Sequence, residues 1–422
     1  MPVTPTGATH EVPAEDLFFS TTDSRGVIDE VNEVFVRNAR HPREDLIGAP
    51  HSIIRHPDMP AGVFGSMWDM LGDGRPVCAY VHNLAGDGSA YWAFATVTPI
   101  DGERFLSVRS GPMNTGARDL LSGLYGVLRE QEVAARAHGK TAHEVGVLGR
   151  HLLADALRGQ GFADYDALQL DLVPVEVAAR EAEAPAVPTE VGDPAADALL
   201  AEIATLRRGL GGFADELSDS LTGADALRRD LRRARAHLAT LDDLIDDDEQ
   251  RDRIGTAGRA VENAWPTLDE VIHRRKRLRL TTAIARLQAE AIARYVAAAV
   301  AGREDLASSR HAATSLTAAL GSIVDADVAA DQRAAAALAA SIGEALDAVR
   351  ATPMHIFAAS AEVPGMMSAL DALLGQTDRI EIGIEAVVGP DTALDLPELK
   401  ARLQRIDDLA AAWAPTNSGQ RA

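Results

Sequence analysis

Apolar and polar positions keep a short period over the first hundred residues and then switch to a helical one. Phe18-Phe19-Ser20-Thr21-Thr22-Asp23 and Val27–Val31 are strand-like on either side of Ser24-Arg25-Gly26, which predicts a hairpin. Asn32 stands where it can cap a helix carrying Val34, Phe35 and Val36. His41–Gly48 predicts a turn, a short helix and a glycine stop, and a longer helix is expected over Ala61–Leu71. Strands follow at Val77–Leu84, Tyr91–Pro99 and Arg104–Arg109, with turns at Gly86-Asp87-Gly88 and Asp101-Gly102. Two strands, small helices and three strands predict an α+β domain over residues 15–115. Residues 1–14, rich in Pro, Thr and Gly, are expected to form a flexible arm.

Beyond Ala117 the pattern is helical. Leu120, Leu121, Leu124, Val127 and Leu128 share one helix, and Val145, Leu148, Leu152 and Leu153 mark a second over Thr141–Leu157. Residues 116–190 are expected as a helical linker, with short helices at Asp164–Leu172 and Pro174–Ala184. From Asp193-Pro194, steps of four and three run through Leu199, Ile203, Leu206, Leu210, Phe213, Leu217, Ser220, Ala224, Leu227, Leu231, Ala234, Leu238, Leu241 and Ile245. Such a sustained heptad seam predicts a coiled coil or helix bundle over 191–422, with long antiparallel helices and a homodimer as one way of covering the seam. Trp265-Pro266 and Pro353 are expected to interrupt helices, and Ile380–Ile384 reads as helix from its context.

Charge and composition narrow the function. The chain has 422 residues and a formal charge of -22, which excludes nucleic acid or an anionic membrane as a partner for its surface as a whole. No basic-then-apolar leader and no long apolar run is present, so no membrane span is expected and the cytoplasm is the expected location. The single cysteine, Cys78, excludes an internal disulfide, and the histidines lack metal-ligand spacing. His273–Arg279 is a basic run in an acidic chain, for which pairing with the chain's own carboxylates outweighs a partner site.

The stretch with the most chemistry is Ile54-Arg55-His56-Pro57-Asp58-Met59-Pro60. Its prolines fix the backbone and push their predecessors out of the helical region, leaving a stiff loop that aims Arg55, His56 and Asp58. Taken alone, it is either a capped connection or one rim of a ligand pocket. Phe64, Trp68 and Trp92 can supply a flat apolar slot, and the Asn83 amide offers both a donor and an acceptor. Arg55 offers a permanently charged planar fork.

These residues carry a resemblance. Ser20-Thr21-Thr22-Asp23, Asn32 with Phe35, Leu46-Ile47-Gly48, Pro50-His51, the Arg55–Pro60 loop, Met67-Trp68, Gly74-Arg75-Pro76, Asn83 and Asp87-Gly88 with Tyr91-Trp92 follow one another in a familiar order. The region over about 15–110 resembles the flavin-binding PAS domain of bacterial aerotaxis receptors. It departs from that pattern after Asn83, where Leu84-Ala85-Gly86 replaces basic residues, and at Val77, where tryptophan is common. The resemblance implies non-covalent FAD, redox or oxygen sensing, and ligand roles for Arg55, His56, Asp58 and Asn83, to which the aromatic slot adds Trp68 and Trp92. The expected protein is a non-enzymatic PAS signal transducer passing its state through C-terminal helices to a protein partner. The alternative is a cofactor-free PAS scaffold for interaction or dimerisation.

Overall fold

The computed structural model describes residues 3–100, 103–303, 306–356, 366–388 and 396–413. The expected Asp101-Gly102 turn lies outside the described residues. β1 (Leu17–Asp23) and β2 (Ile28–Val31) form the predicted hairpin. The Asp23 carboxylate closes its turn by accepting the N–H groups of Arg25 and Val27, both at 2.9 Å, and Gly26 takes φ 75°. Asn32 caps α1 (Glu33–Ala39) through the Phe35 N–H. After α2 (Arg43–Leu46), a single 3-10 turn at His51–Ile54 leads into the stiff loop and α3 (Ala61–Gly72). β3 (Val77–Leu84), β4 (Ala90–Ile100) and β5 (Arg104–Ser110) complete an antiparallel sheet of order β2-β1-β5-β4-β3.

Strand alternation gives this sheet two faces, and both are covered. On one, β1, β3, β4 and β5 turn Thr22, Val81, Ala95, Val97, Phe105, Ser107 and Arg109 toward α3 and the stiff loop. The other face carries Phe19, Cys78, Tyr80, Thr98, Leu106 and Val108. It is capped by α6 (Tyr165–Glu183) and by the 280–296 stretch of α8 (Asp248–Val300). The caps are polar as well as apolar. Gln169 accepts the Cys78 N–H at 3.1 Å, Tyr165 donates to the Cys78 carbonyl at 2.8 Å, and Gln288 donates to Thr98 at 2.9 Å. Glu176 accepts the Tyr80 hydroxyl and the N–H groups of Met113 and Asn114, which fixes the exit from β5. Burial raises the Cys78 thiol pKa and suppresses its reactivity.

Residues 4–12 are not a loose arm. Thr6 and His10 donate to the Gly88 and Ala90 carbonyls at 2.9 Å, and the His10 ring lies 4.9 Å from Tyr91. The segment adds a short parallel bridge, Thr9 to Ala90, to the start of β4, so its backbone polar groups find partners there.

α4 (Thr115–Ala137), α5 (Ala142–Gly159) and α6 follow, α5 opening on a full capping box between Thr141 and Glu144. Then come α7 (Pro194–Leu244), α8, α9 (Leu306–Ile356), α10 (Met366–Val388) and α11 (Leu396–Trp413). Three proline expectations are corrected: Pro174, Pro266 and Pro353 all lie inside continuous helices. An interior proline costs about 3 kcal/mol. Around Pro266, the fully buried Ala264, Leu268 and Val271 supply packing that offsets it.

Two compact units divide the chain. One comprises Met1–Gly211, Leu280–Ile323 and Pro397–Ala422, the other Gly212–Arg279 and Val324–Leu396. The division therefore passes through α7, α8 and α9, not at residue 191. Every residue of the heptad seam is buried within the single chain. In the second unit the seam of α7 meets α8 as an antiparallel hairpin, bracketed by Arg228–Asp269 and Arg235–Glu262. The seam is thus satisfied internally and offers no apolar stripe for a second copy. The basic run is likewise used inside this unit: Arg274 pairs with Glu270 at 2.6 Å, Arg275 with Asp331 at 3.4 Å and Arg277 with Asp327 at 3.8 Å.

Among the described residues no helix is long and apolar enough to cross a membrane.

Candidate functional site

The stiff loop closes one side of a cavity of about 240 Å³ on the inner sheet face. Its walls are mainly apolar: Ile54, Phe64, Met67 and Leu71 from the helical side, Val81, Val97 and Phe105 from the sheet. Trp68 stands 44% exposed at the mouth, edge-on to Phe105, and the Arg25 side chain is 80% exposed beside it. The interior polar groups are few. Asn83 is buried, and its Nδ2 has no hydrogen-bond partner; the Ser107 hydroxyl is buried and equally unpartnered. Arg55 lies with its guanidinium 3.9 Å over the Phe64 ring and donates to the Met59 carbonyl at 3.3 Å. Burial lowers the Arg55 pKa to about 10, partly countered by Glu132.

The backbone explains which side chains enter. Arg55 bridges Asn83, and the His56 N–H donates to the His82 carbonyl at 3.2 Å, so the loop extends the edge of the sheet at the end of β3. Neighbours in an extended chain point to opposite sides. Arg55 and Asn83 therefore reach the inner cavity, while His56 and His82 turn outward.

The six expected ligand residues accordingly separate into two groups. Arg55, Asn83 and Trp68 line the inner cavity. His56, Asp58 and Trp92 do not; Asp58 and Trp92, with His82, Tyr125 and Arg129, line a second hollow of about 380 Å³ on the outer side, and His56 packs behind its His82 wall. There His56 stacks on His82 at 4.1 Å and His82 on Trp92 at 4.6 Å. Burial lowers both histidine pKa values, that of His82 to about 4, with His56 adding to the shift. Asp58 is a 3.5 Å neighbour of His56 and its side chain is 78% exposed.

Among the cavity residues that escaped the sequence reading, two polar ones touch. Arg109 on β5 and His51 in the 3-10 turn meet in the wall at 2.6 Å. The alternation of Leu106 and Val108 with Ser107 and Arg109 reads as a half-buried strand with a polar outer face. In a sheet covered on both sides, that polar face is the cavity wall.

α4 grips the same loop from outside. Arg129 donates to the Pro57 carbonyl at 2.8 Å, and Glu132, fully buried, accepts the N–H groups of Ala61 and Gly62 at 2.7 and 2.9 Å. A carboxylate is thereby placed on the otherwise uncapped start of α3. The contact needs glycines: a Cβ on Gly62 would stand 2.2 Å from the Gly149 backbone, and one on Gly149 would stand 2.2 Å from the Glu132 carboxylate.

Five strands ordered 2-1-5-4-3, small helices on one face and a ligand-sized cavity beneath them settle the fold class. The N-terminal domain is of the PAS type. No family model matches the chain. It is 31% identical over 135 residues to the aerotaxis receptor of Escherichia coli (strain K12), a match covering 31% of this chain and 26% of that one. The chain thus matches about a quarter of that relative's length. Among solved structures, the blue-light activated histidine kinase of Erythrobacter litoralis EL346 aligns with a TM-score of 0.22 and 11% identity. That alignment covers 42% of this chain and 60% of the kinase, and at this level it does not bear on fold or function. The aerotaxis-receptor match and the sheet together support a PAS-type sensor.

Proposed function

We propose that this chain is a cytoplasmic PAS signal transducer, not an enzyme, that holds a flavin in the inner cavity and reports redox state or oxygen to a protein partner through its helices. FAD is the proposed flavin, by similarity to the aerotaxis receptor. The observation that carries the reading is the buried, unpartnered Nδ2 of Asn83 in a mainly apolar cavity. A buried donor without a partner costs about 1–3 kcal/mol, a cost that a ligand acceptor would remove.

The residues present fit a flat heterocycle. Phe64, Leu71, Val81 and Val97 supply the slot, and Asn83 and Ser107 supply edge contacts. At about 240 Å³ the cavity would take the ring system, and Trp68 and Arg25 at its mouth would meet the rest of a dinucleotide. A bound flavin would supply reversible electron uptake. The chain's part is to hold the ring, exclude water from it, and couple Arg55 to α4 through the loop that Arg129 and Glu132 grip.

The test is the visible spectrum of the purified chain and its uptake of FAD. Asn83→Ala and Arg55→Ala should each weaken uptake about tenfold or more with the fold intact. A colourless protein that takes up no added flavin would overturn the reading.

A further inference from the structure

Two of the three arginines at the cavity have their charge answered by a carboxylate. Arg25 pairs with Asp23 at 3.0 Å, and Glu132 favours the charged form of Arg55. Among the described residues Arg109 has no such partner. It is 4% exposed, and its guanidinium donates only to neutral acceptors: Nη2 to His51 Nε2 at 2.6 Å and Nη1 to Ser20 Oγ at 3.3 Å. Its other close neighbours are the rings of Phe35 and Phe18, 5.3 and 6.0 Å away. Burial raises the pKa of nearby Tyr91, so that phenol brings no negative charge. Among the described residues no carboxylate lines the cavity.

Arg109 is lowered by burial to about 10 and remains a cation at neutral pH. His51 accepts a hydrogen bond from it and is itself held well below 6.5 by burial and by Arg109, so it is neutral with its hydrogen on Nδ1. A full positive charge therefore stands in the wall of an apolar cavity, in a chain of net charge -22. An uncompensated buried charge is among the costliest features a fold can hold.

The geometry points to Arg109 as the counter-charge for negative charge on the bound ring, with His51 fixing the plane of its guanidinium. The cavity is then selective for ring ligands that carry or acquire negative charge, and for a flavin that charge gathers at the pyrimidine end. This inference rests on the flavin reading above.

The probe is 8-mercapto-FAD. Its sulfur anion is red in neutral surroundings and turns to the blue benzoquinoid form where positive charge stands at the pyrimidine end. Loaded into the full chain, it should turn blue. It should also bind about tenfold or more tighter than FAD, the worth of one charge-assisted hydrogen bond. Arg109→Gln should give the red form and equalise the two affinities, and Arg109→Lys should restore blue colour. Where glutamine is not tolerated, Arg109→Met, which suits the apolar wall, takes its place. A wild-type chain that binds the analogue in its red form overturns the inference and leaves the flavin reading standing. A blue form that survives both Arg109→Gln and Arg109→Met overturns it as well. No uptake of either FAD or the analogue overturns both.

Discussion

Replacing Glu132 with alanine should open the first turn of α3 and release the Arg55–Pro60 loop. The carboxylate is fully buried and accepts two backbone N–H groups, from Ala61 and Gly62, on a helix whose N-cap, Pro60, has no capping side chain. A hydrogen bond to a charged group contributes about 1.5–3 kcal/mol, and removal of a capping side chain costs about 0.5–2 kcal/mol. Gly62 is buried, so water can replace only part of what is lost. The net cost of Glu132→Ala is therefore about 3 kcal/mol. Glu132→Gln keeps one acceptor oxygen but loses the charge at the helix start, and should cost about 1–2 kcal/mol. Hydrogen exchange resolved by peptide is the assay, since it reports local opening in a chain of more than one compact unit. At 1.4 kcal/mol per tenfold, α3 amides should lose about a hundredfold of protection in Glu132→Ala and about tenfold in Glu132→Gln, with β4 and β5 unchanged. Protection of α3 within about threefold of wild type in Glu132→Ala would refute the capping role.

Gly62→Ala should destabilise the domain by about 3 kcal/mol or more, because the added methyl would stand 2.2 to 2.7 Å from α5 backbone atoms at Gly149 and Arg150; urea midpoints of the two chains check this. Lowering the pH should weaken the domain through His82. Between pH 6.5 and about 4 the unfolded chain takes up a proton there that the folded chain refuses, so the stability is complete above that window and is lost as pH falls through it. Protection of β3 and β4 measured against pH should show that loss, and His82→Phe should flatten it. Arg275→Met strands Asp331 and should cost about 3 kcal/mol, whereas Arg275→Met combined with Asp331→Leu should recover most of it. A cycle without recovery would mean that the basic run serves something other than this pair.

The parts of the molecule written in local periodicity were legible in the sequence. The five strands, the Asn32 cap and the entire heptad seam from Leu199 to Ile245 rest on neighbours within a few residues. Half of the loop's site chemistry was legible too, but not its direction. Arg55 and His56 were read as one cluster because they are adjacent, and adjacency in an extended segment is what sends them to opposite faces of the sheet. Glu132 and Glu176 carried no local sign of their roles, since their partners lie 62 to 96 residues away. The prolines misled for a related reason: propensity is a local cost, and Pro266 sits where tertiary burial outweighs it.

The Arg55–Pro60 loop has two holders, and that limits what a ligand can transmit. On the cavity side, Arg55 lines the pocket and feels the Glu132 charge; on the outer side, Arg129 and Glu132 hold the Pro57 carbonyl and the start of α3. A ligand shifts α4 only by the difference in its affinity for the gripped and released loop. That difference cannot exceed the worth of the grip, about 3–4 kcal/mol from the bonds just counted. A working coupling of about 1–3 kcal/mol fits inside that limit. Coupling of this kind is reciprocal. Whatever factor FAD changes the α3 protection by in the wild-type chain, releasing the grip with Glu132→Gln must change the FAD affinity by a comparable factor, up to that ceiling. Equal FAD affinities in wild type and Glu132→Gln, alongside an α3 protection that does respond to FAD, would show that the ring acts on α3 by a route that bypasses this loop.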